Sequence, residues 1–190
     1  MERAVKGTTV SLSRTYDAPV EDVWDAVTNA ERIPRWFLPV SGELRAGGRY
    51  QLQGNAGGTI ESCDPPRAFA ATWEFAGGFS RIRVTLTPQG ETTQLTLEHE
   101  VSDDDHWRRF GPGAVGVGWD MVETALRRHL ASGAPVDPAE AMAWFGSAEG
   151  REFLTASAHA WGEAHAAGGA DADTARVAAE QTVAAYAPQS

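Results

Sequence analysis

The sequence predicts an α+β fold: a curved six-stranded antiparallel sheet around a long C-terminal helix, plus an alanine-rich helical extension. Three observations carry that reading. Six segments alternate apolar and polar residues, the mark of strands with one solvated face. One long segment, 114–131, carries an apolar stripe at helical spacing. From Ala134 onward the composition changes, with 19 alanines in 57 residues.

The first strand is expected near 8–16, where Val10, Leu12 and Tyr16 alternate with Thr9, Ser11, Ser13 and Thr15. The period then changes. Val20, Val23, Trp24 and Val27 line one helical face, with Pro19 at its start and Glu21 and Asp22 at the positive end of the dipole. Trp24 sits on this inner stripe and reads as core. After Asn29 a short turn or helix runs into Pro34. Strands follow near 43–53, with Gly47-Gly48 as a bulge or bend, and near 57–63, ended by Asp64-Pro65-Pro66. The stretch 67–76 sets Phe69, Ala71, Trp73 and Phe75 on one face. The stretches 80–88 and 92–101 do the same with Ile82, Val84 and Leu86, and with Leu95, Leu97, His99 and Val101. Short turns at Ala76-Gly77-Gly78 and Pro88-Gln89-Gly90 make the neighbours antiparallel hairpins.

Beyond Asp103-Asp104-Asp105, the residues Val115, Trp119, Val122, Leu126 and Leu130 form the stripe of the long helix, which Gly133 closes. This helix is the longest apolar face available to cover the sheet. Trp119→Ala is therefore expected to cost roughly 3–5 kcal/mol, as for buried aromatics. Helices are expected near 137–145, 148–167 and 171–187, separated at Gly168-Gly169. Phe145, Phe153, Trp161 and Tyr186 are too few large apolar groups for an independent core. The division is thus 1–133 for the sheet domain and 134–190 for an extension that packs on it or on a second copy, with a homodimer through 134–190 as the corresponding partner.

Bulk properties exclude several classes. Sixteen basic residues are scattered over a chain of net charge -10, so there is no basic face for nucleic acid. No run of about 18 apolar residues exists to span a membrane. The first ten residues lack the apolar core of a signal peptide, and the single cysteine, Cys63, fits a reducing cytoplasm. The five histidines have no metal-ligand spacing, so no metal and no cofactor is expected. Residues 111–116 match G-x-G-x-x-G, but no βαβ unit surrounds them. They read as a flexible lead into the long helix, whose small residues let the helix start sit close to the sheet.

The strongest candidate site is aromatic. Trp36, Phe37, Tyr50, Phe69, Trp73, Phe75, Trp107, Phe110 and Trp119 come from nearly every element of the sheet domain. A sheet wrapped on one helix closes its open end poorly, so such residues either fill the core or wall a cavity. The cavity-wall candidates are Trp36, Phe37, Tyr50, Trp73, Phe75, His99, Phe110, Trp119, Val122 and Glu123. His99 has two readings, a satisfied core histidine or a polar group inside the cavity. No carboxylate pair or nucleophile elbow names a reaction.

In order, Ala18-Pro19-Val20-Glu21-Asp22-Val23-Trp24, Arg35-Trp36-Phe37, Gly58-Thr59-Ile60-Glu61-Ser62-Cys63-Asp64-Pro65-Pro66, Trp73 and Gly118-Trp119 resemble the START-like helix-grip superfamily (SRPBCC). Within it the chain looks like the AHSA-type homologues of the heat-shock protein 90 ATPase activator, over about residues 8–132. The resemblance implies a cavity between the sheet and the long helix, often open to apolar ligands. Relatives of this kind include lipid carriers, hormone receptors, polyketide cyclases and co-chaperone domains. Three functions follow as expectations. The first is a module that binds a lipid or another small apolar or aromatic molecule. The second is a cyclase or aromatase-like enzyme using His99 with Glu61 or Glu123. The third is a chaperone-accessory or dimeric interaction protein.

Overall fold

A computed structural model describes residues 1–186 of the chain. The strands are β1 (Glu2–Lys6), β2 (Thr9–Tyr16), β3 (Val40–Gly42), β4 (Arg49–Leu52), β5 (Gly57–Asp64), β6 (Ala68–Phe75), β7 (Gly78–Gln89) and β8 (Thr92–Glu100). The helices are α1 (Val20–Thr28), α2 (Asp105–Phe110), α3 (Gly113–Ser132), α4 (Pro138–Phe145), α5 (Ala148–Ala167) and α6 (Ala172–Tyr186), with a short 3-10 turn at Ile33–Arg35. The strands form one antiparallel sheet in the order β1-β2-β8-β7-β6-β5-β4-β3.

Register explains why one face closes on a core. Leu97 lies between Leu12 and Val84, and His99 between Val10 and Ile82, so inward residues of the central strands stack in rows. The helices α1 and α3 cover this concave face. Together they bury a core of Tyr16, Val23, Ala26, Ala71, Val84, Leu86, Leu97 and Leu126, with Trp73, Trp119 and Val122 packed against it. A second core lies beyond β2. Val5, Val10 and Leu12 meet Trp107, Val117, Leu154, Ala158 and Trp161 there.

The sheet has eight strands rather than six, for two reasons. The expected strand at 43–53 is the turn and second strand of a hairpin whose first strand, β3, precedes it. Arg45 to Gly48 make its turn, where Gly48 N–H donates to the Arg45 carbonyl (2.8 Å) and Gly47 holds φ at 80°, a conformation that glycine takes without strain. The other addition is β1, an edge strand of mostly charged residues that shows no apolar alternation. Its inward residues are Arg3 and Val5, and Arg3 is held by an ion pair instead of by apolar packing.

The lead into the long helix is itself helical. Asp104 caps α2 by accepting from Trp107 N–H at 2.9 Å, and Gly111-Pro112 breaks the chain before α3. α3 ends where Gly133 turns left-handed, its N–H bonding back to the His129 carbonyl. The expected helices at 137–145 and 148–167 correspond to α4 and α5. The third corresponds to α6 up to Tyr186, and its expected last residue, 187, lies outside the described residues.

The extension is seated on the glycines of the G-x-G-x-x-G stretch. A Cβ on Gly116 would meet the Trp161 ring at 2.4 Å, and one on Gly113 would meet Thr182 Oγ1 at 2.5 Å. Gly111 lies against His165 and Ala178. The small residues therefore admit α5 and α6, not the sheet. A polar clip adds to the seat. Asp120, fully buried on α3, accepts two hydrogen bonds from Arg3 Nε and Nη2 of β1, and a third from Ser157 Oγ of α5.

Candidate functional site

Between the concave face and the helices α1 and α3 lies a cavity of about 160 Å³. Its walls are almost wholly apolar. β2, β6, β7 and β8 supply Leu12, Phe69, Ala71, Trp73, Ile82, Val84, Leu95 and Leu97; α3 supplies Trp119, Val122 and Leu126. A β-bulge at Ile60–Ser62 shifts the parity of β5, so Ile60 and Cys63 both face this side.

Seven of the ten sequence candidates line the cavity: Trp36, Phe37, Tyr50, Trp73, Trp119, Val122 and Glu123. Trp36 follows the 3-10 turn, donates from Nε1 to the Ala26 carbonyl (2.9 Å) and stacks on Phe37 at 5.6 Å between ring centroids. Tyr50 turns its hydroxyl away, donating to the Thr72 carbonyl at 2.7 Å. Burial, and then the charge of Glu74, raise the pKa of this phenol well above its ordinary value.

The other three lie elsewhere. Phe75 has the parity of Trp73 but stands at the last residue of β6, before the Ala76-Gly77 turn. Beyond the reach of α3, it is exposed. Phe110 ends α2 and packs against His106 and Tyr186, under α6 rather than over the sheet. His99 is buried behind the cavity wall. Trp119 Nε1–H donates to His99 Nδ1 (2.9 Å), so the ring carries its proton on Nε2, which donates to Ser80 Oγ (2.8 Å). Ser80 in turn donates to the Trp73 carbonyl at 3.0 Å. Every polar atom of the imidazole is thus satisfied by groups that position the two cavity tryptophans, whose rings lie 5.1 Å apart. Burial lowers the His99 pKa to about 4.

Sequence reasoning found Glu123 but passed over the rest of the polar wall, Arg14 and Tyr16. Arg14 and Tyr16 follow Leu12 at two-residue intervals on β2, so parity alone puts both on the inner face. Tyr16 was visible there as an apolar residue, and Arg14 was hidden by its charge. Arg14 Nη1 donates to both carboxylate oxygens of Glu123, at 2.8 and 2.7 Å. The Glu123 side chain is 4% exposed and that of Arg14 is 29% exposed, so the pair lies at the inner edge of solvent. Tyr16 lies beside them. Burial first, and the Glu123 charge second, raise its pKa far above the ordinary phenol value. The cavity is an apolar chamber with one polar station.

An acid–base pair between His99 and Glu61 is not formed. Glu61 sits at the bulge on the outer side of the sheet and pairs with Arg81 at 3.1 Å. Among the described residues no group of three or more His, Cys, Asp or Glu is placed to hold a metal, and no helix is long and apolar enough to cross a membrane.

An antiparallel sheet gripping a helix over an apolar chamber defines a helix-grip protein. The chain belongs to the family described as "Activator of Hsp90 ATPase homolog 1-like protein", whose model matches residues 17–131. The crystal structure of CalU16 from Micromonospora echinospora is 33% identical, with 84% of this chain and 97% of that chain covered and a TM-score of 0.66. DynU16, a protein of the dynemicin biosynthetic locus, is 25% identical over 67% of this chain and 49% of its own, with a TM-score of 0.60. PFC0360w, an HSP90 activator from Plasmodium falciparum, shares the fold at 19% identity, with 68% of this chain and 99% of that chain covered and a TM-score of 0.54. A search of curated proteins found no match.

Proposed function

We propose that this protein is a small-molecule binding module that takes an apolar or aromatic molecule between its sheet and α3 without transforming it. The observation that carries the reading is the chamber itself, walled by Trp36, Trp73 and Trp119 and large enough for a ring system. A dry cavity of about 150 Å³ lined by aliphatic and aromatic side chains is known to accept benzene, and pockets for small molecules combine apolar walls with a few placed polar groups. The family membership supports the same reading, as does the presence of one relative in a biosynthetic locus. A cyclase-like role has less support, because its proposed histidine is engaged on both ring nitrogens within the wall.

Native mass spectrometry of freshly purified protein, followed by exposure to a library of lipids and aromatic compounds, tests the proposal. A bound species of discrete mass is the expected result. A chain that stays empty throughout the library would overturn it.

A further inference from the structure

The polar station narrows the chemistry of the ligand, and this inference rests on the binding reading above. Arg14 is a guanidinium with five N–H donors, yet among the described residues it donates only through Nη1, to Glu123. Its Nε and Nη2 hydrogens have no partner, and the side chain lines the chamber. The Tyr16 hydroxyl, one step along the same face of β2, lies beside the Glu123 carboxylate at the chamber wall. Burial and the neighbouring Glu123 charge keep that phenol protonated, and its hydrogen bond goes to Glu123. The guanidinium thus brings more donors to this spot than Glu123 takes up, while the formal charge is already balanced. Glu123 neutralises Arg14, so a ligand carboxylate would have to displace one anion with another beside an apolar wall, and would meet repulsion from Glu123. A neutral oxygen acceptor meets no such cost and gives the remaining Arg14 N–H groups a partner.

We infer that the chamber selects an uncharged ring compound bearing a carbonyl oxygen, which accepts hydrogen bonds from Arg14 while the rings lie among Trp73, Trp119 and the sheet. A purely structural role for the ion pair makes a different prediction. Such a pair would be indifferent to the ligand and replaceable by apolar residues.

The test uses the full chain and three probes of similar size: tetralin, its ketone α-tetralone, and α-naphthoate. Binding is followed by the fluorescence of the cavity tryptophans. α-Tetralone is expected to bind on the order of tenfold more tightly than tetralin, the worth of hydrogen bonds to a charged group, with α-naphthoate the weakest. In the double variant Arg14→Leu/Glu123→Leu, whose folding is checked by circular dichroism, the ketone preference should vanish while tetralin binds at least as well. Equal affinities for tetralin and α-tetralone in the wild-type chain would overturn the inference without touching the binding reading. So would tightest binding of α-naphthoate, which would reassign the station to anions. Failure of all three probes to bind would count against the binding reading itself.

Discussion

The two cores lie on opposite faces of α3 and are built by different rules. Toward the sheet, the helix presents Trp119, Val122, Glu123 and Leu126, large side chains that stand around a space. Toward α5 and α6 it presents Gly113, Gly116, Val117 and Asp120, side chains that leave none. Trp161 fills the second core completely, at 0% exposed, whereas Trp119 is only half-buried. A single helix thus separates a closely packed seam from a chamber. The lesson is that aromatic richness does not mark the binding side. Whether the facing residues are glycines or bulky side chains does.

The sharpest way to break this comparison is to truncate both tryptophans. Trp161→Ala should cost about 3–5 kcal/mol in denaturant unfolding, since it empties a site that has no space to collapse into. Trp119→Ala should cost clearly less than the 3–5 kcal/mol expected from sequence alone, because its ring already borders empty volume. Equal losses would mean that the chamber is as tightly packed as the seam.

Acid comes next in size and probes the wall between the cores. His99 is held neutral with a pKa of about 4, below its ordinary 6.5. Between those values the unfolded chain binds a proton that the folded chain refuses. Stability is therefore full above about pH 6.5 and falls as pH drops toward 4, by on the order of 3 kcal/mol. His165, lowered by burial as well, acts in the same direction. His99→Gln, which can still accept from Trp119 and donate to Ser80, should flatten this part of the profile. Parallel wild-type and variant curves would show that His99 is not the group responsible.

Smaller effects of opposite sign separate the seam from the exposed surface of the same helix. Gly116→Ala should destabilise by about 1–3 kcal/mol, because its methyl would enter the Trp161 ring. Gly118→Ala, with open space around it, should stabilise by up to about 1 kcal/mol through helix propensity. Thermal unfolding of the pair measures both, and two shifts of the same sign would refute the seam.

The fold was legible wherever periodicity was strong. Alternation in 67–101 and the stripe of 114–131 placed β6, β7, β8 and α3 to within a few residues. It failed where a tertiary partner stands in for a local pattern. β1 is held by pairing with β2 and by the reach of Arg3 to Asp120, neither of which a short charged segment announces. The site was legible in its apolar part for the same reason that the core was. Of its polar part Glu123 was legible and Arg14 was not, because an inward arginine breaks the alternation that reveals strands, and only Glu123, a hundred residues away, makes it tolerable. Phe75 and Phe110 had suitable positions in their elements, but where an element ends relative to its cover is decided in three dimensions.

The two edges of the sheet meet the hazard of open strands in different ways. An edge strand offers unpaired backbone groups to any other chain, a template for fibrous assembly. β3 answers with brevity, three residues ending at Gly42, whose left-handed backbone (φ 102°) turns the strand off. β1 is flanked by α5, and at the close of that helix the bare Cα of Gly168 comes so near the Val5 carbonyl that a Cβ would stand 2.2 Å from it. The alanine-rich extension is thus also a bumper. Losing it would leave an edge of the grip open to strand addition from neighbouring chains, and colloidal behaviour would change before any ligand was involved.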